Sequence, residues 1–263
     1  MAKYTVEQIR NVVFCGHKSC GKTTLVDRML TTTGVVNRPA SVDEGTSICD
    51  FDDEEKTHRY TIEASVVHFD HGGLHFHAID TPGYPDFIGQ TVGAMRGVDV
   101  AAIVINAQSG IEVNTRRVFA EAAKAGLGRM IVLNKMDGDN IDFAAVVESI
   151  QKLWGNACVL LNVPVGLGAD FRGVVSTLDV PADTSGALVD PAEINQSITD
   201  SIIEADEEVM ERYLEGTPPT KEELSRLIVA AVAGGSLIPI VCVSAKTGVG
   251  FPELLDAMSV CCL

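Results

Sequence analysis

Positive charge is scarce in this chain. Its 263 residues carry 20 Lys and Arg against 36 Asp and Glu, a formal net charge of −16 and a pI near 4.7. Such a surface repels phosphate backbones, which argues against unaided nucleic-acid binding and offers nothing toward sequence-specific DNA recognition. Contact with an RNA-rich particle would need local basic patches, a protein partner or further domains. The 7 cysteines fall at no disulfide or zinc spacing. Cys15, Cys20, Cys158 and Cys242 sit in or beside apolar runs, as expected of a chain kept reduced in the cytoplasm. No secretory leader is expected, because Met1-Ala2-Lys3-Tyr4-Thr5 runs straight into charged and amide residues. Cys261-Cys262-Leu263 is not a prenylation box, since Val260 holds the cysteine position. The uncharged run Leu227 to Ala245 is long enough to suggest a membrane helix. Gly234-Gly235-Ser236 and Pro239 break it, and its halves read as a helix end followed by a buried strand. No internal repeat or low-complexity segment is present.

What is present is a hydrophobic content of 46%, ample for a two-sided α/β core, and a phosphate loop. Val12-Val13-Phe14-Cys15 leads into Gly16-His17-Lys18-Ser19-Cys20-Gly21-Lys22-Thr23, and Thr24 begins a helical stretch. In a strand–loop–helix of this kind the loop N–H groups turn inward around a phosphate, and the glycines permit the turn. Lys22 reaches the outer phosphates, Thr23 offers its hydroxyl to Mg²⁺, and the helix N-terminus adds its dipole. The chain is expected to bind a nucleoside polyphosphate.

The base is read from two later segments. Arg129 to Leu133 is expected as a buried parallel strand ending in Asn134-Lys135-Met136-Asp137. Asp137 can accept from the imino and amino groups of guanine. Adenine lacks that donor pair and would leave a buried carboxylate unpaired, at a cost of about 1–3 kcal/mol. Asn134 would tie this loop to the phosphate loop, and Lys135 can lay its stem along the base. A second strand, Ile238 to Val243, ends in Ser244-Ala245-Lys246, where the Ala245 N–H can meet the guanine oxygen. Between these, Leu74 to Ile79 delivers Asp80-Thr81-Pro82-Gly83, with Asp80 aimed at the metal through water. Gly83 offers a bare N–H to the γ-phosphate. Thr61 is the candidate that closes over Mg²⁺ in the triphosphate state.

Strands alternating with helical stretches predict a doubly wound, mainly parallel sheet with helices on both faces. Val66 to Phe69 and Leu74 to Ile79, joined by 70–73, read as a hairpin adding an antiparallel edge strand. Helices are expected over Asp86 to Arg96, Asn114 to Ala125 and Asp142 to Leu153, with an apolar strand from Val98 to Asn106. The stretch 155–235 interrupts the pattern with its own strands, loops and two helices. A nucleotide-binding domain is therefore expected at 1–154 and 236–263, with an α+β inserted subdomain at 155–235. Ile194, Ile198, Ile202, Val209 and Tyr213 mark the apolar stripe of the insertion's first helix. His71, His75 and His77 read as a solvated strand face rather than a metal site, Trp154 as a core residue closing its helix against the insertion, and Asp86 as an N-cap or first-turn acid. The run Asp50 to Glu55 reads as a mobile, solvated part of a loop.

Taken in order, GHKSCGKT, DTPG, NKMD and SAK resemble the motifs of translational GTPases, above all the elongation factor G family. Val165 to Val175 is similar to the strand pair opening that family's insertion, and Glu204 to Gly216 resembles its acidic helix. The likeness runs from about Asn11 to the C-terminus. It implies a P-loop G domain that uses GTP/GDP and Mg²⁺ and hydrolyses GTP slowly without ribosomes. The implied partner is the ribosome, through its RNA and stalk proteins. It further implies a monomer, no membrane and a cytoplasmic site of action. Catalysis is carried over to Lys22, Thr61, Gly83 and residue 84, and metal binding to Thr23, Thr61 and Asp80. The departures are Ser19 where the family has Asp, Lys18 and Tyr60 where it pairs two apolar residues, and Tyr84 where a histidine places the attacking water. A guanine-nucleotide switch with little hydrolysis is the alternative, and a tetracycline-protection or release-factor-type GTPase is a rival within the class.

Overall fold

The computed structural model describes residues 3–38, 40–203 and 206–262. Of the acidic helix expected from Glu204, Glu204 and Ala205 lie outside the described residues, as does Leu263. Two strands, Ile9–Gly16 (β1), apolar and buried from Val12 to Cys15, and Val100–Asn106 (β4), apolar up to Ile105, lie side by side at the centre, where both faces are covered. Parallel pairing adds Leu74–Asp80 (β3) beside β1, and Gly128–Asn134 (β5) and Ile238–Cys242 (β9) beyond β4. Ser65–His71 (β2) pairs antiparallel with β3 and forms one edge, and Cys158–Leu160 (β6) forms the other. The order is β2-β3-β1-β4-β5-β9-β6, seven strands in all.

In the β2–β3 hairpin His71 faces Leu74, so the turn is Gly72-Gly73 alone, both at positive φ. The expected four-residue link is shortened because this primed turn matches the strand twist. Helices Lys22–Thr32 (α1), Lys221–Gly234 (α8) and Phe251–Cys261 (α9) contribute Leu25, Met29, Val232, Leu254 and Met258 to one layer of core. Val113–Lys124 (α4) and Phe143–Trp154 (α5) contribute Val118, Phe119, Val146 and Ile150 to the other. The helix expected over Asp86 to Arg96 is regular α only over Ile88–Ala94 (α3), with a 3₁₀ turn at each end. Among the described residues no helix is long and apolar enough to cross a membrane. The run Leu227 to Ala245 divides into the end of α8 and all of β9.

Within 155–235, β6 is a member of the main sheet and α8 packs on β5 and α9. Asn162–Val165 (β7) and Gly173–Ser176 (β8) form a separate antiparallel pair. The apolar stripe assigned to one helix spans two, Pro191–Ile203 (α6) and Glu207–Leu214 (α7), and Asp206 caps the second by accepting from the Val209 N–H. Trp154 stacks on Phe119 of α4 at 4.0 Å and 9°, which closes α5 against α4, and it packs on the core cluster that includes Cys158 and Leu160 of the 155–235 segment. His71 bonds Asp256 at 2.8 Å and His75 bonds Asp70 at 2.6 Å. Among the described residues no three His, Cys, Asp or Glu side chains gather as a metal set. All seven cysteines are buried and free.

Candidate nucleotide site

A cavity of about 690 Å³ opens at the C-terminal ends of the central strands. Lys18, Ser19, Gly21, Lys22, Thr23, Thr24, Tyr60, Thr61, Gly83, Tyr84, Lys135, Ala245 and Lys246 line it. Gly16, His17, Cys20, Asp80, Asn134, Asp137 and Ser244 stand outside that lining. Crevices of this kind bind ligands in open α/β sheets, because the chain leaves the strands there as loops flanked by helix N-termini.

The loop between β1 and α1 wraps on itself. Gly21 caps α1 at φ 92°, and a Cβ there would lie 2.5 Å from Asn134 Nδ2, so only glycine suits both the backbone and the space. Lys22 is buried and donates from Nζ to His17 O at 3.0 Å. Cys20 lies beside it, its thiol pKa raised by burial. Asn134 joins three loops at once: Nδ2 donates to Cys20 O at 3.0 Å and Oδ1 accepts from the Ala245 N–H at 3.0 Å. Ser244 Oγ donates to Asp137 Oδ1 at 2.6 Å, fixing the carboxylate's orientation. Arg28 of α1 donates to the carbonyls of Ala245 and Lys246 at 3.0 and 2.7 Å.

At the other end the oxygens converge. Thr23 Oγ1 lies 2.7 Å from Asp80 Oδ2 and 2.9 Å from Thr61 Oγ1, and Thr61 Oγ1 lies 3.0 Å from Asp50 Oδ1. Asp80 is fully buried, and its Oδ1 has no hydrogen-bond partner among the described residues. Burial drives its pKa up to about 7, although Lys22 and Thr23 pull the other way. Burial likewise raises Asp50 and Asp27. A buried carboxylate oxygen left unpaired among hydroxyl and carboxylate oxygens is the chemistry a hard divalent cation suits, and the donor set fits Mg²⁺.

Gly83 sits so close to the phosphate loop that a Cβ would lie 2.5 Å from Lys22 Nζ and 2.7 Å from Lys18 Cα. Its carbonyl accepts from Asn114 Nδ2 at 3.0 Å. Tyr84 is half-buried, its ring 4.8 Å from that of Tyr60.

Several contributors were hidden from sequence reasoning. The run Asp50 to Glu55, expected to be solvated, buries both of its end carboxylates. Asp50 meets Thr61, and Glu55, within the short helix Asp53–His58 (α2), accepts from the N–H groups of Asp52, Ile62 and Glu63 at 2.8–3.1 Å. These bonds satisfy backbone groups that a polar-looking stretch gives no hint of. Asn114 and Arg28 carried no motif signal either. Asp27, buried in α1, holds the Ile48 N–H at 3.1 Å.

A doubly wound sheet with a phosphate loop at β1, and two further loops tied to it through Asn134, defines the P-loop class of nucleotide-binding folds. Comparison with known proteins narrows the class. Residues 7–262 match the family described as the Elongation factor Tu GTP binding domain, and the chain belongs to that family. It is 32% identical over 259 residues to an "Elongation factor G-like protein" of Mycobacterium tuberculosis, covering 94% of this chain and 36% of that protein. It is 32% identical over 274 residues to "Elongation factor G" of Thermotoga maritima, covering 98% and 40%. A crystal structure of a Thermus thermophilus protein superposes with a TM-score of 0.88 at 30% identity, over 98% of this chain and 40% of that one. The chain is thus a G domain of the elongation factor G type and spans about two-fifths of such relatives.

Proposed function

We propose that this chain binds GTP and GDP with Mg²⁺ and hydrolyses GTP as the G domain of an elongation factor G-like translation factor acting on the ribosome in the cytoplasm. The observation that carries this reading is the meeting of Thr23, Thr61 and Asp80 within hydrogen-bonding distance beside the phosphate loop. In it, the loop's N–H groups and Lys22 hold the phosphates, and Asp137 with the Ala245 N–H reads guanine. Thr23 and Thr61 would hold Mg²⁺ directly, with Asp80 and Asp50 one water further out. The cation, when bound, supplies positive charge to the phosphate oxygens. Gly83 offers its N–H to the γ-phosphate, and the phenol of Tyr84 orients water by donating and accepting hydrogen bonds. Catalysis of this kind is positioning plus electrostatics, so a neutral phenol where the family has a histidine favours slow turnover without ribosomes.

The same substitution keeps a second reading in view, a guanine-nucleotide switch with little hydrolysis. Single-turnover GTP hydrolysis with and without ribosomes separates the two. Stimulation supports the factor, whereas tight GTP binding without turnover in either condition supports the switch. The 155–235 segment is read as the family's insertion, with β6 in the main sheet at one end and α8 packed on β5 and α9 at the other. The working unit is taken to be a monomer.

A further inference from the structure

Three segments meet at the mouth of the cavity through side chains that depart from the family pattern. Lys18 comes from the phosphate loop, Tyr60 from the stretch after α2, and Tyr84 from the loop after β3. Lys18 Nζ lies 4.9 Å from the centroid of the Tyr84 ring, within the reach of a cation–π contact. The Tyr60 ring lies 4.8 Å from that of Tyr84, tilted by 52°. Tyr60 is backed by Phe87 at 6.4 Å and 24° and by His58 at 5.6 Å and 30°. Each segment also carries a group of the site itself. Thr61 follows Tyr60, Gly83 precedes Tyr84, and the Lys18 backbone sits where a Gly83 side chain would be. The ammonium of Lys18 forms no hydrogen bond or ion pair among the described residues, and the Tyr84 ring is the group it faces there.

A tyrosine at a cavity mouth can swing into water unless something holds it. Tyr60 supplies an aromatic edge, and Lys18 adds a charge attracted to the ring's π face. We infer that Lys18 is a positioning residue for Tyr84, clasping the phenol and with it the Gly83 and Thr61 segments over the triphosphate end of the cavity. The inference rests on reading that cavity as the GTP site. In a chain with an apolar residue at position 18 this clasp could not form, so the lysine and the tyrosine act as a unit.

The test uses Lys18→Ala, Lys18→Arg, Tyr84→Ala and the Lys18→Ala/Tyr84→Ala double variant, with single-turnover hydrolysis and GTP affinity measured for each. A second, independent readout is the ¹⁹F resonance of 3-fluorotyrosine placed at position 84. At an exposed site the contact is worth about two- to five-fold, so Lys18→Ala should slow hydrolysis by that factor while GTP affinity falls by less. Lys18→Arg should restore most of the rate, because a guanidinium also stacks on a ring. In the Tyr84→Ala background the lysine change should add nothing. The fluorine resonance should move in Lys18→Ala. An equal loss in both backgrounds overturns the inference. So does lost GTP affinity at an unchanged rate, which would make Lys18 a direct phosphate ligand. If the parent binds GTP without hydrolysing it, the enzymatic reading fails but the fluorine shift still decides the clasp. An unmoved resonance overturns the clasp however fast hydrolysis is.

Discussion

Asp80→Asn should stabilise this protein when nucleotide and Mg²⁺ are absent and weaken it when they are present. Asp80 is wholly buried with one oxygen unpaired among the described residues, and burial pushes its pKa from an ordinary 3.8 up to about 7. Between those values the folded protein keeps a proton that the unfolded chain has released. Stability therefore falls as pH rises through this window and levels off above about 7. At 1.36 kcal/mol per unit the full rise corresponds to about 4 kcal/mol, an upper figure because water and local relaxation screen the charge. Asparagine is nearly the same shape, can still accept from Thr23, and has no charge to desolvate. Urea unfolding of the nucleotide-free protein in EDTA should find the variant more stable at pH 8, by up to about 4 kcal/mol, with the difference shrinking toward pH 5. Asp27 and Asp50 titrate in both proteins and repel the Asp80 charge, so the difference reads Asp80 together with the relief of that repulsion. With Mg²⁺ and GDP added, the order should reverse, because the ion now compensates a charge that the variant lacks. A variant that is no more stable at pH 8, or whose advantage ignores pH, would refute the reasoning.

Asp137→Asn turns one acceptor into a donor and should cost guanine about 1–3 kcal/mol while favouring xanthine; competition among GDP, ADP and XDP checks it, and unchanged GDP affinity removes Asp137 from the base. Gly83→Ala forces a methyl against Lys22 and the phosphate-loop backbone. It should cost about 1–3 kcal/mol by overpacking, with GTP-analogue affinity falling more than GDP affinity; an equal loss of both would unlink Gly83 from the γ-phosphate. Glu55→Gln presents an amide donor to backbone N–H groups that now have a carboxylate. It should cost about 1–3 kcal/mol and speed proteolysis across 46–63, seen on gels of timed digests. Tyr84→Phe keeps the ring contacts and removes the hydroxyl, so hydrolysis should slow while GTP binding holds. A parental rate under ribosome stimulation would leave the phenol without a role.

Local chemistry was legible wherever one segment carried it alone. A glycine-bounded loop ending in Lys22-Thr23 needs no distant partner to declare a phosphate site, since its own backbone forms the cradle. The central strands declared themselves by short apolar runs such as Val12 to Cys15 and Met130 to Leu133, and the hairpin by its double glycine. Edges were less legible. Cys158–Leu160 is three residues long, too short for any periodicity, and it joins the sheet because β9 leaves an edge beside it.

What the amino-acid order determined by itself is the set of loops able to meet a guanine nucleotide and the strands that deliver them. What only the tertiary structure decided is how the charges inside are answered. Asp50 and Glu55 look like solvent-facing acids because sequence records charge but not enclosure. Glu55 is buried because Asp52, Ile62 and Glu63 turn their N–H groups onto it, and Asp50 because Thr61 folds over it. Lys18 and Tyr84 lie far apart along the chain, yet they meet over the cavity. Hydrogen bonds and ring contacts act over a few ångströms of space, and only the packed sheet sets which residues come within that range.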